Sequence, residues 1–167
     1  MKARWLIVLL ILLAGFGVLG LGGRSIAKAA PPIPEQVLAA DGAVLVDAGQ
    51  ITEGQKLYLG HGGQHIGSVW GHGAYLAPDW TAKALHQWAE HTLNRFRCQG
   101  LSEAEAKART ASVFQANTYD AATGVLQLEA NQAEAYRAAR AELAKVVHEG
   151  DRQVSIPARW IPEAAQA

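Results

Sequence analysis

The sequence contains very little sulfur, and this scarcity excludes several kinds of site. Cys98 is the one cysteine and Met1 the one methionine in a chain of 167 residues. A single cysteine cannot form a disulfide within the chain or supply the C-x-x-C-H motif that attaches haem covalently. A methionine axial ligand for such a haem is excluded as well, because Met1 is the first residue. We predict that Cys98 is a small packing residue within a helix.

The sequence also lacks an excess of either charge and the motifs of common catalytic loops. Its 15 basic and 15 acidic residues give a formal net charge of zero, so the basic footprint of a nucleic-acid-binding protein is absent. Ser68 has no G-x-S-x-G context, and the glycine-rich stretches contain no lysine that would bind phosphate. We therefore predict no nucleic-acid partner and no catalytic residue in this chain.

What the chain does have is one long apolar run near its N-terminus. The 18 residues Trp5–Gly22 carry no charged side chain, and basic residues flank them at Lys2, Arg4, Arg24 and Lys28. This is about the length that a helix needs to cross the hydrocarbon core of a bilayer. The run therefore predicts a membrane-spanning anchor helix.

A cleaved signal peptide is the alternative for this segment. Ala27-Lys28-Ala29 has the small-x-small form of a cleavage site, although the apolar core of a signal peptide is usually only about 7–15 residues long. Both interpretations place the rest of the chain outside the cytoplasm, while the balanced basic flanks do not decide the orientation. We expect a single-pass protein of the cytoplasmic membrane, in contact with the lipid bilayer, whose domain lies on the periplasmic side.

The composition divides the chain into three parts. Residues 1–28 form the anchor, residues 29–36 (AAPPIPEQ) form a stiff proline-rich spacer, and residues 37–167 form one extracytoplasmic domain.

Local patterns within this domain predict a mainly α fold with one short β hairpin. The hairpin centres on Asp41-Gly42, which has apolar residues on both sides. Four helices follow, with start signals at Thr52 with Gln55, Pro78-Asp79, Ser102 with Glu105, and Asn131 with Glu134. The second helix has an apolar stripe of Leu85, Trp88, Ala89, Leu93 and Phe96. The last helix is predicted to end at Gly150, and residues 124–128 resemble a short strand.

We expect any functional site to lie in the glycine-rich segment, residues 60–80. It contains His61, His65 and His72, and neutral imidazole is a common ligand of zinc and copper. A closed zinc site needs a fourth ligand, yet no cysteine, aspartate or glutamate lies between these histidines. An independent metal-binding protein is therefore one alternative, and loop histidines that form hydrogen bonds are the other. Asp79 is best explained as a helix N-cap.

The same segment resembles a known family. Residues 54–86, GQKLYLGHGGQHIGSVWGHGAYLAPDWTAKALH, closely resemble the membrane-external N-terminal region of quinol-dependent nitric oxide reductases. In that family a G-H-G-[AS]-Y-x-x-P-[DE] loop opens a helix, and residues 71–79 have this pattern. The resemblance continues through residues 117–140, NTYDAATGVLQLEANQAEAYRAAR.

A more distant resemblance links the segment to the cytochrome c subunit of cytochrome-dependent nitric oxide reductases. When the two are placed together without gaps, the haem-attaching cysteines of that subunit fall at Gly63 and Ile66, and its haem-ligating histidine falls at Gly67. None of these replacements can attach or ligate haem. The resemblance therefore implies a small helical, cytochrome c-like fold that binds no haem.

The family resemblance also implies a role for the glycine-rich loop. In the family this loop packs against the membrane-embedded catalytic subunit, near the propionates of two b-type haems and, in some members, a calcium ion. The matching loop residues here are Gly71, His72, Gly73, Tyr75 and Pro78, and we expect the adjacent Trp70 to face the partner too, because large aromatic residues are enriched at the buried centres of interfaces. Gly73, through its carbonyl, and Tyr75, through its hydroxyl, match the positions that face calcium and the propionates.

The sequence ends at Ala167, before the transmembrane helices that carry the haem and iron ligands in the quinol-dependent family. We therefore expect a non-catalytic accessory subunit without a cofactor of its own. It would dock on a separate subunit whose haem b and non-haem iron reduce nitric oxide to nitrous oxide. The alternatives are the metal-binding protein described above and a truncated relic of a larger reductase.

Overall fold

The computed structural model describes residues 2–29, 31–73 and 78–161, and the chain divides into two compact units, Met1–Ile33 and Pro34–Ala167. The first unit contains the single helix α1 (Lys2–Ala29). Its stretch Arg4–Lys28 contains an 18-residue window with a mean hydropathy of 2.6 and is long and apolar enough to cross a membrane. An N-terminal apolar helix is thus confirmed, whereas the choice between an anchor and a cleaved signal peptide stays a prediction.

The second unit contains the remaining described elements. In chain order they are β1 (Gln36–Leu38), β2 (Val44–Asp47), α2 (Ala48–Gly60), α3 (Gly63–Ile66), β3 (Ser68–Val69), β4 (His72–Gly73), α4 (Trp80–Cys98), α5 (Glu103–Gln115), β5 (Tyr119–Asp120), β6 (Val125–Gln127), α6 (Ala130–Glu149) and the 3-10 helix η1 (Arg152–Val154). The predicted fold class, mainly α with a small amount of sheet, is confirmed.

The predicted β hairpin is present but forms part of a larger sheet. β1 and β2 pair in antiparallel fashion around a turn in which Gly42 has a φ of 85°. The strand order is β2-β1-β6-β5, and β1 pairs with β6 in parallel fashion. The strand-like residues 124–128 therefore extend the hairpin into a four-stranded sheet, and β1 begins at Gln36, the last residue assigned to the spacer.

Two of the four predicted helix starts are confirmed. The Asp79 side chain caps α4 by accepting a hydrogen bond from Ala82 N, and Ser102 forms a capping box with Glu105 at the start of α5. The predicted end of α6 is confirmed as well, because Gly150 follows its last residue with a φ of 76°.

The other two helix starts were wrong. Asp47 and Gln50 form the capping box of α2, so Thr52 lies inside the helix and donates to Ala48 O at 2.6 Å. Asp47 is the last residue of β2, so the chain passes from strand to helix without a loop.

At α6, Glu129 and Gln132 form the capping box that we assigned to Asn131 and Glu134. Asn131 is buried and exchanges two side-chain hydrogen bonds with Gln99, at 2.9 and 3.1 Å, so its amide is not available as a cap.

Helix α4 is the centre of the helical part and packs against both α5 and α6. Trp88 on α4 donates to Gln132 O at 2.8 Å and packs edge-on against Phe114 and Tyr136. Buried core residues on the sheet side are Val37, Ala39, Leu45, Leu128 and Ala133, and those between α4 and α5 are Phe96, Ala106 and Val113.

Two predictions about α4 were wrong. Leu85 was placed in the core stripe, yet it is 46% exposed. Cys98 was expected to pack, yet it is exposed. Cys98 follows the buried Phe96 by two residues, and at about 100° per residue it points to nearly the opposite side of the helix.

The C-terminal stretch showed no periodicity in the sequence, but it is folded against the domain. Asp151 and Ile156 form a β-bridge around η1. Trp160 then donates through its indole N–H to His61 O at 2.8 Å. This contact joins the last described turn to the glycine-rich segment, where the candidate site lies.

Candidate functional site

The glycine-rich segment folds into a short hairpin whose tip is a tryptophan. β3 and β4 pair in antiparallel register, Ser68 with Gly73 and Val69 with His72. The two residues between them, Trp70 and Gly71, have φ values of 55° and 75°. Two consecutive positive φ angles are typical of the type I′ turn, whose right-handed twist matches that of the paired strands.

Trp70 is an unusual residue for this position. Positive φ is uncommon for any residue with a side chain, and asparagine, aspartate and glycine are the usual choices in a type I′ turn. The indole gains little from burial within the chain, because Trp70 is 74% exposed. The hairpin therefore holds a large aromatic side chain in solvent on a strained backbone.

The carboxylate of Asp79 fastens this hairpin to the start of α4. One of its oxygens accepts hydrogen bonds from Ser68 Oγ at 2.6 Å and from Gly71 N at 2.7 Å. The other oxygen accepts from Ala82 N at 2.9 Å, which is the N-cap bond. One side chain thus joins the helix start to both the first strand and the turn of the hairpin.

Two further hydrogen bonds support the same junction. Trp70 N donates to Thr81 Oγ1 at 3.2 Å, and Ser68 N donates to Pro78 O at 3.2 Å. The hydrogen bond from the Ser68 hydroxyl, followed by those from Ala82 N and Gly71 N, holds the pKa of Asp79 below its ordinary value of 3.8. Asp79 is therefore ionised at neutral pH.

An aromatic cluster lies behind the hairpin. The rings of Trp80 and Trp160 are stacked with their centroids 5.9 Å apart, and Tyr58 meets Trp160 edge-on at 5.8 Å. Two glycines allow this packing. A Cβ on Gly63 would lie 2.5 Å from the Tyr58 ring, and a Cβ on Gly67 would lie 2.1 Å from Trp80 Nε1.

These two glycines lie at positions singled out by the sequence. In the gapless resemblance to the cytochrome c subunit, Gly63 falls at the position of a haem-attaching cysteine and Gly67 at that of the haem-ligating histidine. Each has an aromatic ring where the larger side chain would begin. Ile66, the second cysteine position, is the last residue of the short helix α3 between them.

The structure brings together some of the predicted loop residues. Trp70, Gly71 and Pro78 all take part in the junction with Asp79. The backbones of His72 and Gly73 form β4, while the side chain of His72 and the whole of Tyr75 lie outside the described residues. The predicted contacts of Gly73 and Tyr75 stay predictions.

The predicted histidine site can be followed only in part. His61 Nδ1 lies 2.8 Å from Leu57 O, so one ring nitrogen is engaged with the preceding helix turn. Among the side chains that the structure describes, no group of three or more histidine, cysteine, aspartate or glutamate residues could hold a metal ion. The His72 side chain is not among them.

Several residues of the site had no recognisable signal in the sequence. Trp160 contacts the segment from about a hundred positions away, and nothing in its neighbours indicated this. Ser68 and Thr81 bond residues eleven positions distant, a spacing that matches no local motif. The type I′ turn was missed because Trp-Gly is not among the dipeptides that usually form it.

Comparison of the sequence with known families gives a match. Residues 34–167 match the family of the NorB cytochrome c-like domain of nitric oxide reductase. The chain belongs to this family. The match confirms the resemblance on which the sequence interpretation rests, and it covers the second unit up to the last residue. A comparison with curated proteins gave no match.

Membership of the NorB cytochrome c-like family gives the site its context. The hairpin clamped by Asp79 contains the first three residues of the G-H-G-A-Y-x-x-P-D motif and the residues just before them, and Asp79 is the last residue of that motif. The aromatic cluster packs against Gly63 and Gly67, the positions at which the sequence resemblance would put a haem-attaching cysteine and the haem-ligating histidine of the cytochrome c subunit. A domain of this family is part of an oxidoreductase.

Proposed function

We propose that this chain is a haem-free, non-catalytic subunit of a nitric oxide reductase. It docks on a separate membrane-embedded catalytic subunit, whose haem b and non-haem iron reduce nitric oxide to nitrous oxide. The observation that carries the docking role is the display of Trp70, 74% exposed and with positive φ, on a hairpin fixed by Asp79.

The hairpin is difficult to explain by the stability of the domain alone. A residue with a side chain held at positive φ costs of the order of 1–3 kcal/mol. Because the indole of Trp70 is exposed, its burial within the chain offsets little of this free-energy cost. Tryptophan is among the residues most enriched at the energetic centres of protein interfaces, where burial by a partner supplies the missing stabilisation.

The haem-free part of the proposal rests on the aromatic cluster. A haem-attaching cysteine at position 63 would direct its Cβ into the Tyr58 ring, and a histidine at position 67 would direct its Cβ into Trp80. Both rings also pack against Trp160. The cluster supports a domain that is stabilised by aromatic packing in the region that a c-type haem would otherwise fill.

A calcium ion at the docking surface would depend mainly on the partner. Calcium takes six to eight oxygen ligands, and in this proposal the chain offers the Gly73 carbonyl and the Tyr75 hydroxyl. Asp79, the carboxylate that contacts the hairpin, already accepts hydrogen bonds on both oxygens. Most of the ligands would therefore come from the catalytic subunit or its haem propionates.

The N-terminal helix supports a position at the membrane. If α1 stays uncleaved, it holds the domain beside a membrane-embedded partner, and we place the domain on the periplasmic side. Only the short segment 30–35 separates α1 from β1. Such a tether raises the local concentration of the domain at the partner without any new contact.

Absorption spectroscopy tests the haem-free part of the proposal. The purified full-length chain is expected to show no Soret band and no pyridine haemochrome spectrum, even when it is expressed in a host with active haem attachment. The cytochrome c subunit of a nitric oxide reductase, prepared in the same way, is the positive control. A stoichiometric covalent haem in this chain would overturn the proposal.

A further inference from the structure

Helix α2 has an open groove along one side and no buried residue. The groove, called here the α2 groove, has a volume of about 530 Å³ and is lined by Ile51, Gly54, Gln55, Tyr58, Leu59, Gln64 and Val69. None of these side chains is charged, and none of the 13 residues of α2 is buried. A helix in a folded domain is normally stabilised by burying an apolar face, and α2 buries its apolar side chains Ile51, Leu57 and Tyr58 only partly among the described residues.

Gly54, in the interior of α2, gives the most specific indication that something outside the domain covers this groove. Glycine inside a helix is less stable than alanine, so packing or function usually explains it. Among the described residues, nothing outside the adjacent backbone of α2 lies within 4 Å of the position that a Gly54 Cβ would take. Packing among these residues therefore does not require glycine there, whereas close approach of another molecule would.

We propose, as a consequence of the docking role above, that the α2 groove receives an apolar, uncharged segment of the same catalytic subunit that the Trp70 hairpin contacts. The two surfaces are continuous, because Val69 lines the groove and Trp70 follows it directly at the hairpin tip. Leu59, on the rim of the groove, is 58% exposed.

The shape of the groove favours a protein segment over lipid. A concave cleft fits protruding side chains, whereas residues that enter a bilayer normally protrude from the surface. The amides of Gln55 and Gln64 also line the cleft. They offer hydrogen bonds to a partner's backbone groups, which acyl chains do not have.

The test is a substitution that places a larger side chain inside the groove. Gly54→Leu places an isobutyl group in the open space and replaces a helix glycine, so the fold should be at least as stable as wild type. Gly60→Leu is the matched control. In the part of the chain that the structure describes, position 60 also has nothing within 4 Å of its Cβ and is not among the residues that line the groove. At 100° per residue it lies 180° around α2 from Ile51.

Each full-length variant is co-expressed with the candidate catalytic subunit in a membrane, and the dissociation constant is measured after purification in detergent. We expect Gly54→Leu to weaken association about tenfold or more without lowering Tm, and Gly60→Leu to leave the constant within about twofold. A Gly54→Leu variant that binds as tightly as wild type would overturn the inference.

Further outcomes separate this inference from the proposal on which it rests. If Trp70→Ala weakens association and Gly54→Leu does not, the groove inference fails and the docking role stands. If neither variant weakens it, both the groove inference and the docking role fail.

Two experiments test other occupants of the groove. Analytical ultracentrifugation of the chain alone tests self-association. A bimane label at Gln55→Cys, in a Cys98→Ser background, tests burial in lipid, because brominated acyl chains quench its fluorescence. A change in self-association caused only by Gly54→Leu, or strong quenching in the assembled complex, would assign the groove to another occupant.

Discussion

At the scale of single residues, Asp79 makes more of the hydrogen bonds that hold the candidate site together than its sequence position indicated. Its predicted role as a helix N-cap was confirmed, and it uses one carboxylate oxygen. The second oxygen accepts from both Ser68 and Gly71 and so fixes the conformation of the hairpin. The cap was predictable because it is local, whereas the contact with Ser68 depends on how the intervening loop folds.

Asp79→Asn should therefore weaken the domain in a pH-dependent way. The folded-state pKa of Asp79 lies below its ordinary value of 3.8, so its contribution is fully present above that pH and is lost as the pH falls toward the folded pKa. We expect the variant to lower Tm by about 4 °C at pH 7 and to match wild type in strong acid. Thermal melts between pH 2 and 7 test this, with Glu53→Gln as a control for loss of an exposed carboxylate.

A pH-independent difference between Asp79→Asn and wild type would show that the charge of Asp79 is not what holds the junction. Equal melting temperatures at pH 7 would show that the charge of Asp79 and its second acceptor oxygen contribute nothing measurable, because asparagine keeps one acceptor oxygen.

Gly73 and Tyr75 carry the residue-level prediction about the partner's cofactors. If the Gly73 carbonyl approaches a cation or haem propionate, the added methyl group of Gly73→Ala should impair assembly. Tyr75→Phe removes one hydrogen bond, worth roughly 0.5–3 kcal/mol, and should leave an assembled complex with lowered nitric oxide turnover or shifted haem potentials. Complex yield, redox titration and nitric oxide consumption are the measurements. Wild-type behaviour of both variants in all three would exclude this loop as the contact with the cofactor region.

At the scale of secondary-structure elements, features that depend on residues close together in the sequence were predicted correctly, whereas features that depend on distant residues were missed. The Ser102 capping box, the Asp41-Gly42 turn and the Gly150 helix end were predictable because each depends on residues only a few positions apart. The parallel pairing of β1 with β6 joins Gln36 to Val125, and no local pattern indicates it. Thr52 was wrongly chosen as a cap because Asp47, five residues earlier, forms a capping box of its own.

The aromatic cluster gives a prediction at this scale. Gly67 has an extended backbone, so Gly67→Ala introduces no φ strain, and its effect comes from a Cβ placed 2.1 Å from Trp80 Nε1 and 2.9 Å from Pro78 O. We expect a loss of about 1–3 kcal/mol in the free energy of unfolding and a changed tryptophan emission spectrum. Gly54→Ala, made in open space within α2, should instead stabilise by about 0.5–1 kcal/mol.

Urea denaturation of both alanine variants provides the comparison. If Gly67→Ala were as stable as Gly54→Ala, the ring of Trp80 would not occupy the space next to Gly67. The haem-free proposal would then rest only on the contact between Gly63 and the Tyr58 ring.

At the scale of the whole molecule, the family match and the structure support one description. A NorB cytochrome c-like domain follows a helix that is long and apolar enough to cross a membrane. The domain presents a clamped hairpin with an exposed tryptophan and, beside it, an uncharged groove. The sequence motif indicated where the candidate loop would lie, but only the folded arrangement indicated that Trp70 is exposed and that the described residues leave a groove open along α2.

Association of the full-length chain with a catalytic nitric oxide reductase subunit from the same genome tests the central claim most directly. The dissociation constant is measured for wild type, for Trp70→Ala, and for Val44→Ala as a control, since Val44 is also exposed but lies on β2 in the four-stranded sheet, which is separate from the β3-β4 hairpin. We predict that Trp70→Ala weakens association about thirtyfold, corresponding to about 2 kcal/mol, with an unchanged Tm for the isolated chain. Val44→Ala should bind as wild type does. Failure of the wild-type chain to bind the catalytic subunit, or a Trp70→Ala chain that binds equally well, would contradict the account.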